Sequence, residues 1–226
     1  MKRNTFFITG TDTGVGKTVV TALLARFLRK RGVKVAALKP VCSGGRADAR
    51  KLRIAAEGVL RLDEINPWHF RAPVAPWLAA HREHQRVRLA GVLAHIRVMQ
   101  ERFDVLLVEG AGGLLSPLGE NFDSRDLITA LRATPVVVCP NRLGAVNQVL
   151  LTLEALPRGA VTKALVVLMS EAKSDPSSQS NPGLVARHFD RKRIFLLPWL
   201  GRRFDFGRAM GDQRVKKTLP RLMVGF

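Results

Sequence analysis

The segment Ile8-Thr9-Gly10-Thr11-Asp12-Thr13-Gly14-Val15-Gly16-Lys17-Thr18 constrains this chain more than any other. It joins an apolar, β-branched run to a helical pattern and ends in Gly16-Lys17-Thr18. A loop so placed aims its backbone N–H groups and the positive end of the next helix at one point. Lys17 adds a cation on a flexible stem, and the Thr18 hydroxyl stands where a phosphate-bound Mg²⁺ takes an oxygen ligand. The segment is therefore read as a cradle for a triphosphate, with Gly14, Val15, Gly16, Lys17, Thr18 and Val19 around the phosphates. Between the first glycine, Gly10, and Gly16 lie five residues. The common form of such loops has four, so this one is a variant.

The rest of the chain fits that placement. Apolar runs at 5–9, 33–38, 105–108, 135–139, 165–169 and 194–197 are nearly continuous rather than alternating, as in parallel strands covered on both faces. Between them, 18–31 carries Val19, Leu23 and Phe27 at four-residue steps. The segment 87–102 carries Leu89, Leu93, Ile96 and Met99, and 145–156 carries Val149, Leu150 and Leu153. Strand, helix, strand in repeated order predicts an α/β fold, a doubly wound and mostly parallel sheet with helices on both faces. Gly32 reads as a glycine just past a helix end, and Asp123-Ser124-Arg125-Asp126 as a capped helix start. The polar stretches 44–53 and 171–183 read as mobile loops, and the segment after Gly201 shows little apolar periodicity. A single domain spanning 1–226 is expected.

Ligands of such sheets bind outside the carboxyl ends of the strands. The run ending Val108-Glu109-Gly110-Ala111-Gly112-Gly113 puts a carboxylate and glycines at that edge, so Glu109 is the best acidic partner for a metal, with Asp48 the other candidate. Lys39, at the end of the second strand in Lys39-Pro40-Val41-Cys42-Ser43-Gly44, would point at a transferring phosphoryl group or an anionic substrate. Ser43 could donate a hydrogen bond there. Cys42 reads as a packing residue, and the five histidines show no zinc spacing with the two cysteines.

Composition limits the setting. With 46% hydrophobic and 24% charged residues over 226 positions, the chain is long and apolar enough to bury a sizeable core. No run reaches the roughly 18–20 apolar residues needed to span a bilayer, and a secretory signal is not expected. Two cysteines make no disulfide framework, which suggests a reducing, cytoplasmic compartment. Lysine and arginine number 37 against 18 acidic residues, a formal charge of +19. Such a balance raises nucleic acid or anionic membrane as partners. The basic residues are spread along the chain, mostly at helical spacing, and no aromatic-interleaved basic motif accompanies them, so a solvated face is the simpler account.

Taken in order, Thr9–Thr18, Lys39–Gly44 and 108–113 resemble the dethiobiotin synthetase family. The similarity continues through Asn66-Pro67-Trp68-His69-Phe70, Pro73-Val74-Ala75-Pro76, Ser116-Pro117-Leu118, Leu143-Gly144-Ala145-Val146-Asn147 and Pro198-Trp199-Leu200, covering about 4–201. The resemblance implies a P-loop NTPase-like fold and an ATP- and Mg²⁺-dependent closure of a ureido ring on 7,8-diaminononanoate with CO₂, through a carbamate and a mixed carbamic-phosphoric anhydride. It implies that Gly14 to Val19 hold the phosphates, that Thr18, Asp48 and Glu109 bind magnesium, and that Lys39, with Lys17, is catalytic. It also places Gly110, Ala111, Gly112, Met169, Ser170, Pro198, Trp199 and Leu200 around the nucleotide, and Thr11 and Ser43 at the diamine. The family is homodimeric, and the resemblance sends the substrate carboxylate to Gly144, Ala145, Val146 and Asn147 of the partner subunit. Where the family commonly reads adenine with an Asn-Asp pair, this chain has Met169-Ser170, and methionine lacks the amide's paired donor and acceptor.

A different class of protein shares these signals. Partitioning or membrane-positioning switch ATPases have a similar loop and would use the positive charge on DNA or lipid. They usually carry a lysine early in the loop, where this chain has Asp12.

Overall fold

The computed structural model describes residues 4–173, 175–201 and 205–223. Strands β1 (Asn4–Gly10), β2 (Val35–Leu38), β5 (Val105–Glu109), β6 (Thr134–Pro140), β7 (Leu165–Met169) and β8 (Ile194–Leu197) form one parallel sheet in the order β2-β5-β1-β6-β7-β8. The continuous apolar runs are explained by burial on both faces: Phe7, Ile8, Leu107, Val136, Val137, Val166 and Val167 are fully withdrawn from solvent. A separate parallel pair, β3 (Val41–Cys42) with β4 (Trp68–His69), escapes a reading by hydropathy because each strand has only two residues.

The helices are α1 (Lys17–Lys30), α2 (Ala47–Ala55), α3 (Leu62–Ile65), α4 (Pro76–Arg82), α5 (Leu89–Arg102), α6 (Ser124–Leu131), α7 (Ala145–Ala155), α8 (Arg158–Val161), α9 (Asn181–Val185), α10 (Phe206–Gly211) and α11 (Gln213–Leu222). Helix α1 packs on β2 and β5 and touches α2, α10 and α11, while α5 packs against β5 and α6. Gly32 has φ 76° beyond the end of α1, a conformation that a Cβ disfavours. Asp123 caps α6 by accepting from Arg125 N, and Asp126 returns the bond to Asp123 N at 2.8 Å.

Three expectations need correction. The stretch 44–53 is not a mobile loop: after Gly44 and Gly45 it becomes α2, whose Ala49, Leu52 and Ala55 are buried. That stripe is narrow and interrupted by Arg50, Lys51 and Arg53, so charge masks it in the sequence. The stretch 171–183 contains a 3₁₀ turn at Pro176–Gln179, capped by Asp175 accepting from Ser177 N, and the start of α9. The part of the C-terminal segment described, 205–223, forms α10 and α11, and Val215, Leu219 and Leu222 enter the core at i, i+4, i+7 spacing. Its Arg214, Lys216, Lys217 and Arg221 face water. This basic run is thus the outer side of an amphipathic helix. Residues 202–204 and 224–226 of that segment lie outside the described residues.

Because Leu219 is fully buried against the sheet, Leu219→Ala should lower unfolding stability by about 2–4 kcal/mol. Lys217→Ala on the exposed side should change it by less than about 0.5 kcal/mol, both read from urea midpoints.

Candidate active site

Strand order creates the site. The chain leaves β1 through the phosphate loop into α1 and β2, yet β5 lies between β1 and β2, so the carboxyl ends of all three converge. The register pairs Ile8 with Glu109 and Leu38 with Val108, which sets Lys39 level with Glu109. Lys39 Nζ lies 2.6 Å from Glu109 Oε1 and 3.1 Å from Asp48 Oδ2. Thr18 Oγ1 donates to the same Glu109 Oε1 at 2.7 Å. Asp48 reaches this point from the first turn of α2.

Charge is held tightly here. Burial alone would lower the Lys39 pKa, but the Glu109 and Asp48 carboxylates outweigh it and keep the ammonium well above its ordinary range. Asp48 is pulled below the usual carboxylate range: burial opposes ionisation, and Lys39 prevails. Lys17, buried and donating to the Asp12 carbonyl at 2.7 Å, is lowered to about 8, first by desolvation and then by the neighbouring Lys39 charge. Gly16, at φ 102° before the first residue of α1, lets the backbone turn into the helix. A Cβ there would come within 3.2 Å of Met169 Cε.

Two cavities open from this loop. The first, about 600 Å³, is lined by the expected Gly14, Gly16, Lys17, Thr18, Val19, Lys39, Ser43, Asp48, Glu109, Ala111 and Gly112. The second, about 590 Å³, is lined by the expected Gly14, Val15, Gly16, Val19, Met169, Ser170, Pro198, Trp199 and Leu200. Its apolar walls and shared loop residues suit the base and ribose of a nucleotide whose phosphates lie in the first. Lys51 and Ile54 of α2, Glu171, and Asp205 and Phe206 at the start of α10 also line it, and sequence reasoning missed them. Their signal was hidden because Lys51, Ile54 and Glu171 lie in stretches read as loops or at their edge, and Asp205 and Phe206 in a segment read as without periodicity. In the first cavity Thr13, Ser116 and the Pro73-Val74-Ala75-Pro76 turn complete the wall, and Ser43 Oγ donates to the Val74 carbonyl.

Some expected residues are elsewhere. Thr11 lines neither cavity; its hydroxyl is buried and turned toward the Cys139 thiol. Gly110 lies beneath the first cavity, its carbonyl 3.5 Å from Lys39 Nζ. Gly144, Ala145, Val146 and Asn147 begin α7, outside both cavities. Cys42 lines the first cavity but is almost wholly buried, its thiol donates to Asn66 Oδ1 at 3.2 Å, and burial raises its pKa, as suits packing rather than nucleophilic attack. Among the described residues no three His, Cys, Asp or Glu side chains cluster as a metal site.

The sheet order, the glycine loop and the paired lysines define a P-loop NTPase-like α/β enzyme that works on a nucleoside triphosphate. A family model described as an AAA domain matches residues 4–202. The chain is 43% identical over 198 residues to the ATP-dependent dethiobiotin synthetase BioD of Anaeromyxobacter sp. (strain K), covering 85% of this chain and 89% of that one. The synthetase of Anaeromyxobacter dehalogenans (strain 2CP-C) is 42% identical over 91% of this chain and 95% of its own, and that of Bacillus velezensis 35% identical over 80% of each. The chain belongs to the ATP-dependent dethiobiotin synthetase family.

Triphosphate charge beside Lys17 should raise its pKa from about 8. Lys17 is mostly neutral in the free protein at pH 9, so nucleotide binding there should take up close to one proton, against about a tenth of one at pH 7. Calorimetry in two buffers of different ionisation enthalpy reads this directly. Equal uptake at both pH values would show that Lys17 is already charged.

Proposed function

We propose that this chain closes the ureido ring of dethiobiotin from 7,8-diaminononanoate and CO₂ while cleaving ATP to ADP and phosphate. One amine of the substrate combines with CO₂ to give a carbamate. A carbamate oxygen attacks the γ-phosphorus with ADP leaving, and the second amine then attacks the carbamoyl carbon and expels phosphate. The observation that carries this reading is the buried Lys39, 2.6 Å from Glu109 and in the same cavity as Lys17 and Ser43.

Each residue has a role that follows from its state. Lys39 keeps its proton at any working pH, so it stabilises developing negative charge on carbamate and phosphoryl oxygens rather than removing protons. Lys17 and the loop N–H groups hold the phosphates in line with the attacking oxygen, which is most of what phosphoryl transfer requires. Ser43 and the 73–76 turn, joined by the Ser43 bond to the Val74 carbonyl, line the same cavity and fit the diamine.

The residues fit Mg²⁺. Thr18, Asp48 and Glu109 offer a hydroxyl and two carboxylates, all hard oxygen donors, and Glu109 Oε2 is buried without a hydrogen-bond partner. Bound there, the ion would neutralise charge on the β- and γ-phosphates.

A homodimer extends the site. Leu143 and Leu151, beside and on α7, are 78% and 63% exposed, and an apolar face next to the α7 N-terminus supports a partner contact that brings Gly144 to Asn147 to the substrate carboxylate. No helix of the described residues is long and apolar enough to cross a membrane, and a cytoplasmic enzyme remains the reading.

Phosphate release with MgATP and bicarbonate should depend on added 7,8-diaminononanoate. Release indifferent to the diamine would overturn the reading and favour the switch ATPase. Lys39→Gln should lower diamine-dependent release by about 10²–10³-fold with nucleotide affinity changed less than about threefold. Near-normal turnover would remove the role given to Lys39.

A further inference from the structure

Nucleotide held as proposed passes from one cavity to the other, and the boundary between them is made by few residues. Gly14, Gly16, Val19 and Lys51 line both. Lys51 is the charged member of that set. It extends from α2 one turn beyond Asp48, where its charge contributes to the lowered Asp48 pKa. Asp48 is itself engaged by Lys39 at 3.1 Å, and Lys51 makes no salt bridge among the described residues. The first cavity sets Lys17 and Lys39 beside the Asp48 and Glu109 carboxylates, whereas Glu171 and Asp205 are the other charged residues lining the second among those described. A phosphate chain is repelled from that end and drawn to the Lys51 side.

We propose that Lys51 is a second cation of the nucleotide site, one that contacts the α-phosphate where the nucleotide crosses from the first cavity to the second. Between the γ-phosphate beside Lys17 and a base between Met169 and Trp199 lie the α- and β-phosphates and the ribose. The loop N–H groups cradle the α- and β-phosphates, and Lys17 reaches the β- and γ-phosphates. The α-phosphate adjoins the ribose, so it would stand where the two cavities meet, at the boundary that Lys51 lines, and Lys51 adds a full charge to the loop's N–H groups there. A lysine is a compact charge on a flexible stem and reads phosphate without regard to the base. Its contribution is therefore common to all nucleotides, which suits a base cavity whose walls, Met169 among them, lack a paired amide donor and acceptor.

This inference rests on the nucleotide reading of the two cavities but not on the identity of the second substrate. The experiment is a calorimetric titration, without diamine, of the full chain and of Lys51→Ala and Lys51→Arg with ADP, CDP, AMP and adenosine. Lys51→Ala should weaken ADP, CDP and AMP alike by about 5- to 20-fold and leave adenosine within about twofold, and Lys51→Arg should recover most of the loss. Unchanged affinity for ADP and AMP would overturn the proposal. So would a loss confined to one base, which would make Lys51 a base reader, or a loss for ADP without one for AMP, which would place it at the β-phosphate. Failure of the synthetase reading shows separately, as phosphate release indifferent to diamine by the unsubstituted protein.

Discussion

Lys39 and Glu109 form an ion pair with side chains only 6% and 0% exposed, and the carboxyl edge of the sheet is organised around it. Neither charge is tolerable alone at such depth. Removing one partner of a buried pair costs about 3–5 kcal/mol, because the other is left without water or counter-charge. The pair is also incomplete: Glu109 Oε2 has no partner, and Lys39 has drawn in the half-exposed Asp48 as well. A site of this kind is stable yet unsatisfied. It keeps a proton on Lys39 and leaves one oxygen of Glu109 unbonded.

The two lysines of the first cavity are tuned in opposite directions by the same surroundings. Burial acts against both ammonium groups. Lys39 is rescued by two adjacent carboxylates, whereas Lys17 faces a carbonyl and feels Lys39 as a like charge, so it drops to about 8. The free protein thus holds Lys39 firmly charged and Lys17 close to losing its proton. An incoming triphosphate supplies the missing negative charge. That division follows from position: Glu109 sits at the end of β5 beside β2, and the loop sits above β1.

How far the site was legible varies by residue. The six strands of the main sheet agree with the apolar runs to within two residues, and 165–169 and 194–197 agree outright, because parallel strands buried on both faces leave an uninterrupted hydrophobic signature. Lys17 and Thr18, at the start of α1, and Lys39 and Glu109, at strand ends, were legible because each stands in a recognisable local pattern. Asp48 was named, but the helix that presents it was missed, since α2 buries small residues between basic ones. Lys51 was missed for the same cause, and Asp205 and Phe206 because the segment that carries α10 shows little apolar periodicity. Thr11 went the other way: adjacent to the loop in sequence, its hydroxyl turns inward, because the β1 backbone continues through the Thr11 N–H bond to Val138 O before the loop departs.

The sequence by itself determined the six strands of the main sheet, the phosphate loop and the family, the first two because they depend on patterns within about 15 positions of one another and the family because its motifs recur in order along the chain. The tertiary structure alone decided which ends meet. Lys39 and Glu109 are 70 positions apart and touch only because β5 inserts between β1 and β2. The C-terminal helices close the second cavity only because α11 finds the open side of α1 and β8. Hydrophobic periodicity reports that a face will be buried, and it is silent about which neighbour buries it.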